Sequence, residues 1–165
     1  MRIVLATCRP KPALTAGDRR LAEALGRLGA TAVAAPWDSI DPALEEGVVC
    51  LRSTWDYHLR WEEFREWVRG FDGGRHLWNP AGTVLWNADK GYLRDLVGAG
   101  VALPRTRWFD PGRRPDVAAL LEEWGAARAV LKPRVSATAF GTHVVSRERG
   151  PTDAEWPPLE RSGCL

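Results

Sequence analysis

The chain has 165 residues, 45% of them hydrophobic, and a formal net charge of +2, a length that suits one domain or two small lobes with a packed core. Its arginines are dispersed, without the basic stripe of a nucleic-acid face, and Cys8, Cys50 and Cys164 form no CxxC pair and leave one odd, so neither a zinc site nor a disulfide framework is expected. No secretory leader and no apolar run of about 18 residues is visible, so the expectation is a reduced, cytoplasmic protein with no membrane partner. "RIVLAT" reads as a short buried strand. "TAGDRRLAEALGRLG" follows as a helix, with Leu21, Leu25 and Leu28 at helical spacing, Thr15 and Asp18 at capping-box spacing and Gly29 as a stop. Two further apolar runs, "TAVAAPW" and "GVVCLRS", read as strands, and "WEEFREWVRGF" places Trp61, Phe64, Val68 and Phe71 on one helical face. Strands alternating with helices imply a mainly parallel sheet, so residues 1 to 85 read as an open α/β lobe.

From residue 86 the rhythm changes. A helix beginning near Asn87 carries Leu93, Leu96 and Val97 and ends near Gly98 or Gly100, and "PRTRWF" alternates as a strand. "PDVAALLEEWG" has Val117, Leu120, Leu121 and Trp124 at helical spacing, with Pro at its start and Gly at its end. "AVLKP" and "THVVS" read as two strands around the small-residue loop "RVSATAFG". The fold class expected is therefore α/β, an open mainly parallel sheet lobe followed by a smaller α+β lobe over residues 86 to 147. Residues 148 to 165, with three prolines and no sustained periodicity, read as an irregular tail.

Common catalytic signatures are absent. There is no GxxxxGK[ST], HExxH or GxSxG, and "GAGVAL" ends a helix and lacks the third glycine of a dinucleotide fingerprint. His58, His76 and His143 have no metal-ligand spacing to one another, and no metal-ligating set is found. Only three of the 23 Lys and Arg residues are lysines: Lys11, Lys90 and Lys132. With Asn87 as N-cap, Lys90 falls at the third helical position, where the helix dipole opposes a cation unless a bound anion reverses the sign; a surface lysine partnered by Asp89 is the other reading. Lys132 ends an apolar strand before Pro133 and a loop of small residues whose amides can approach phosphate oxygens. Arg52 and Asp56 sit at the C-terminal end of a strand, where open α/β sheets place ligands, and they serve equally well as a strand-to-helix bridge. Trp55 and Trp61 read as lobe packing.

The segments "WNADKGYLRDLVGAGVALPRT" and "VLKP" resemble the two lysine-bearing elements of the ATP-grasp superfamily. Within it "RSTWDY" and "VLWNADKGYL" resemble the glutathione-synthetase-like branch that includes the D-cycloserine cyclo-ligase. The resemblance covers residues 3 to 147. It implies residues 1 to 85 as a pre-ATP-grasp substrate lobe, residues 86 to 147 as the first ATP-grasp subdomain, and an ATP-dependent ligase that joins a carboxylate to an amine through an acyl phosphate. It implies ATP and Mg2+ as cofactors, with Lys90, Lys132, Ser136, Thr138 and Gly141 on the nucleotide, Arg52 on a substrate carboxylate and Asp56 on an amine. No catalytic residue is assigned. Full ATP-grasp proteins continue into a second half with the adenine hinge and metal carboxylates, which "EWPPLERSGCL" does not supply. The chain is therefore expected to be a truncated or frame-shifted member, or a fragment of a longer protein, inactive alone and open to self-association through its second lobe. A non-catalytic nucleotide- or metabolite-binding module and a non-functional remnant are the alternatives.

Overall fold

A computed structural model describes residues 1–43, 46–71 and 76–165. The chain divides into two compact units, Met1–Asn87 and Ala88–Leu165.

The first unit is an α/β layer. Strands β1 (Arg2–Thr7), β2 (Thr31–Pro36), β3 (Val48–Leu51) and β4 (Leu77–Trp78) form one parallel sheet in the order β2-β1-β3-β4. The register places Val4 opposite Val33 on one side and Val49 on the other. Because β2 and β3 lie on opposite sides of β1, the strand order reverses between β1 and β3, and the carboxyl ends of those two strands are where such a sheet holds ligands. Helix α1 (Ala16–Arg27) starts as its sequence dictates: Thr15 Oγ1 accepts from the Asp18 amide at 3.1 Å and donates to the Asp18 carboxylate at 2.8 Å. It closes on Leu28, with Gly29 at a φ of +81°. Helix α2 (Trp61–Arg69) buries Phe64, Trp67 and Val68 against Val4, Trp37, Val49, Phe71 and Leu77.

Helix α3 (Ala81–Ala88) begins directly after Pro80 and runs up to the division. It corrects the expectation that a helix begins at Asn87. The next helix, α4, spans Tyr92–Gly98 with Gly91 before it, so Lys90 lies in the turn between two helices and not at the third position of one. In the second unit α5 (Val117–Trp124) follows its sequence signals, with Asp116 capping the Ala119 amide and Gly125 left-handed at +62°. Strands β5 (Arg128–Leu131) and β6 (His143–Ser146) pair antiparallel, with Val130 opposite Val144 on the outer face. The strand expected at "PRTRWF" does not form. Pro104 lacks a donor, and only Phe109 makes a bridge, to Cys164.

The expected irregular tail is also corrected. Helix α6 (Trp156–Ser162) carries Trp156 and Leu159 into the second core beside Leu131 and Val145. Pro157 and Pro158 fall in its first turn, where a missing amide costs no helical bond. The last residues add to the β-structure: Cys164 exchanges backbone bonds with Phe109, and Leu165 exchanges them with Lys132. Among the described residues no helix is long and apolar enough to cross a membrane.

Candidate functional site

In the second unit the chain folds Lys90 against the segment after β5. The Lys90 amide donates to the Arg134 carbonyl at 2.9 Å, and Asp89 bridges to Val135. The side chain follows the backbone: Lys90 Nζ donates to the Arg134 carbonyl at 3.3 Å, the Ser136 carbonyl at 3.2 Å and the Ser136 hydroxyl at 3.0 Å. Burial pushes the Lys90 ammonium below its ordinary value, and repulsion from Lys132 pushes it further the same way, with Asp89 opposing only as the smallest effect. Lys90 and Lys132, 42 positions apart in sequence, are therefore close enough in space to repel. Among the described residues no ion pair or side-chain hydrogen bond engages the Lys132 ammonium.

Asp89 is occupied elsewhere. Its carboxylate accepts from the Gly91 amide at 2.7 Å and, in a two-pronged pair, from Arg134 Nε at 3.0 Å and Nη2 at 2.7 Å. This replaces the reading of Lys90 as a surface lysine partnered by Asp89. The loop from Ser136 to Gly141 joins β5 to β6 as two tight turns, closed by the Phe140 amide on the Ala137 carbonyl and the Thr142 amide on the Ala139 carbonyl. Thr138 and Ala139 both have positive φ, 51° and 59°, a conformation that costs non-glycine residues energy and that clusters at ligand-holding segments. Gly141, at +66°, lies so close to the ring of Pro133 that a Cβ there would sit 2.8 Å from Pro133 Cγ. Ser136 is buried beside Lys90, whereas Thr138 is exposed at the loop's tip. Two cations, a hydroxyl and a strained small-residue loop thus come together, and the adjacent carboxylate, Asp89, is engaged by Gly91 and Arg134. Among the described residues no three His, Cys, Asp or Glu side chains gather into a metal site.

The first unit holds a separate arrangement at the reversal of strand order. The Arg52 and Ser53 amides both donate to the Ala6 carbonyl at the end of β1. Buried Asp18, which the sequence reading used only as a helix cap, accepts from Arg52 Nε at 2.7 Å and from the Ser53 hydroxyl at 3.0 Å. Asp18 is 4% exposed and Arg52 41%, so the carboxylate anchors one edge of a guanidinium whose remainder reaches solvent. Asp56 does not share that character. It is buried and accepts from the Trp37 indole at 2.9 Å through Oδ1. The cysteines supply no ready nucleophile: Cys8 is buried, burial raises the Cys50 thiol, and it pushes the Cys164 thiol up to about 11.

Burial acts to raise the Asp18 carboxyl, but the bonds from Arg52, Thr15 and Ser53 outweigh it and hold it below its ordinary 3.8. A depressed folded value contributes stability that is complete above the unfolded value and is lost as pH falls through the folded one. Asp18→Asn is therefore expected to unfold at lower denaturant than wild type at pH 7, with the gap narrowing below about pH 4. Urea midpoints at pH 7 and pH 3 check this, and a gap of constant size would show that the carboxylate charge is not what the cluster uses.

Residues 3–79 match the family described as the D-cycloserine synthetase DcsG N-terminal domain. The cycloserine biosynthesis protein DcsG of Streptomyces lavendulae is 34% identical over 120 residues, which is 68% of this chain and 39% of that protein. The crystal structure of D-cycloserine synthetase DcsG superposes with a TM-score of 0.79 at 24% identity, covering 99% of this chain. The chain is related to the N-terminal portion of ATP-grasp ligases. A RimK-domain ATP-grasp protein from Sphaerobacter thermophilus has the same fold, with a TM-score of 0.67 at 21% identity over 99% of this chain. This ATP-grasp-related chain spans 39% of the curated relative and 57% and 62% of the two solved chains. The expected α/β class holds, and the two solved proteins share this fold.

Proposed function

We propose that the second unit binds the polyphosphate of ATP, in a protein that serves ATP-dependent joining of a carboxylate to an amine through an acyl phosphate. The observation that carries this reading is the convergence of Lys90 and Lys132 beside the Ser136–Gly141 loop, while the adjacent Asp89 is spent on Arg134 and Gly91. Two like charges brought together in a half-buried place raise the energy of the empty site, and an anion between them lowers it. Lys90 is aimed by three oxygen acceptors, and Ser136 offers its hydroxyl at the same point. ATP would supply the transferable phosphoryl group. In the first unit, Arg52 is proposed to hold the substrate carboxylate through the guanidinium edge that Asp18 leaves free. Among the described residues no three His, Cys, Asp or Glu side chains gather into a metal site, and no step is assigned to the magnesium ion.

Titration calorimetry with ATP and with inorganic tripolyphosphate tests the reading. Lys90→Ala and Lys132→Ala are each expected to weaken binding by roughly 1 to 3 kcal/mol, the scale of a charge-assisted contact. Lys132→Arg is expected to restore little, because a planar fork does not replace a compact ammonium in a tight loop. Affinity is further expected to fall as pH rises, beginning below the ordinary lysine value of 10.5, because the depressed Lys90 ammonium loses its proton early. Equal affinity in wild type and both alanine variants would return the lysines to a surface role.

A further inference from the structure

We propose that Arg134 is a charge-masking residue: by holding Asp89 away from Lys90, it keeps the lysine pair open to an external polyanion. The inference rests on the polyphosphate reading above, but its mechanism has a readout that needs no ligand. Asp89 immediately precedes Lys90, and a carboxylate there is the natural internal partner for an ammonium that is half buried and repelled by Lys132. It is not used so. Three donors fill it, the Gly91 amide and the two nitrogens of Arg134, and the Lys90 ammonium turns to carbonyl and hydroxyl oxygens instead.

The turn also has fasteners of its own. The Lys90 amide on the Arg134 carbonyl and the bridge from Asp89 to Val135 fasten the backbone without any side chain. What the ion pair adds is charge control. Arg134 is 21% exposed and Asp89 32%, so the pair is shielded enough to matter and open enough to exchange. Gly91 has a part in it: a Cβ there would sit 3.1 Å from both Arg134 Nη2 and Asp89 Oδ1, so a side chain at this position would crowd the pair. Removing Arg134 frees Asp89 to neutralise Lys90 in place, an internal competitor for the anion.

The test uses Arg134→Gln, Asp89→Asn and the double variant, each checked for a cooperative thermal transition. The first readout is the NMR titration midpoint of Lys90, assigned by loss of its signal in Lys90→Ala. Arg134→Gln should raise that midpoint, because the freed carboxylate favours the ammonium, and the double variant should return it to or below the wild-type value. The second readout is tripolyphosphate affinity. Arg134→Gln should weaken it by roughly tenfold, the scale of one unmasked like charge at a partly shielded anion site. The double variant should recover to within about threefold of wild type, and Asp89→Asn should bind at least as well as wild type. If the ion pair serves only to shape the turn, all three variants lose affinity together and the Lys90 midpoint does not rise in Arg134→Gln; either result overturns the proposal. Should the midpoints move as expected while wild type binds no tripolyphosphate, masking stands as chemistry and the polyphosphate reading falls. Should Arg134→Gln fail to fold, Asp89→Asn decides alone: a lower Lys90 affinity for the anion in that variant overturns masking.

Discussion

Leu159→Ala is expected to destabilise the second unit by roughly 2 to 5 kcal/mol, because truncating a fully buried leucine removes its transfer free energy and leaves a cavity. Leu159 is 1% exposed and packs with Leu131, Val145, Trp156 and Cys164. The helix that carries it cannot simply follow the cavity inward. Arg114 grips α6 from outside, bonding Glu160 and Asp153 and lying 5.3 Å over the Trp156 ring, while Pro158 rests against the base of the Ser136–Gly141 loop. Collapse is thus restricted, which puts the cost toward the upper end of the range. Chemical unfolding followed by tryptophan fluorescence measures it. A loss under about 1 kcal/mol would mean that α6 is a loosely docked appendage. Because Lys132 exchanges both backbone bonds with Leu165, the same substitution should also loosen the strand end that carries this lysine, so weaker tripolyphosphate binding should accompany the lost stability.

The sequence declares the elements whose signals are local. The Thr15–Asp18 cap, the α2 face with Phe64 and Val68, and the Asp116 to Gly125 limits of α5 are each written within a dozen residues, and each appears where its pattern puts it. The misread elements depend on distant partners. Nothing near Asn87 indicates that the backbone at Asp89 and Lys90 is claimed by Val135 and Arg134, yet that pairing goes with "ADKG" forming a turn between helices instead of a helix start. Alternation in "PRTRWF" suggests a strand, but a strand needs a neighbour, and the segment finds one only at Phe109. In the last 18 residues the adjacent prolines hid a helix whose first turn tolerates them, although Trp156 and Leu159 at a spacing of three were a legible sign of a buried face.

The candidate site divides in the same way. Lys90, Lys132, Ser136 and Gly141 were legible as a lysine pair and a small-residue loop, because lysines are rare in this arginine-rich chain and the loop's composition is distinctive. Their convergence was not, since it requires a reversal of 42 residues through α4, α5 and β5. Arg134 was hidden among twenty arginines by its ordinary appearance, and Asp18 by having a sufficient explanation as a helix cap. Both prove to be partners of functional candidates, and in each case the signal is a long-range contact, Asp18 to Arg52 across 34 positions and Asp89 to Arg134 across 45.

Trp37→Ala is expected to cost the first unit roughly 3 to 5 kcal/mol, and its pattern of rescue decides what Asp56 is for. Trp37 is 2% exposed in a 3₁₀ turn after β2, with Phe64 edge-on at 5.3 Å and Trp67 at 5.6 Å. Removing the indole takes away a large buried area and those ring contacts, and it deprives the buried Asp56 carboxylate of the Nε1 donor at 2.9 Å. If Asp56 is an acceptor built into the core, the cost has two parts that can be separated. Trp37→Phe keeps most of the packing and loses only the bond, so it should cost about 1 to 3 kcal/mol. Asp56→Asn keeps an acceptor oxygen for the indole and should cost less than Trp37→Phe. The double variant Trp37→Phe, Asp56→Leu should recover part of the loss, since removing both members of a buried polar pair is cheaper than orphaning one. Denaturant midpoints of the four proteins give the answer directly. An Asp56→Asn variant that keeps full stability but no longer tolerates the amine substrate in a ligase assay of the assembled protein would instead put Asp56 back at the substrate, with Trp37 as the residue that orients it.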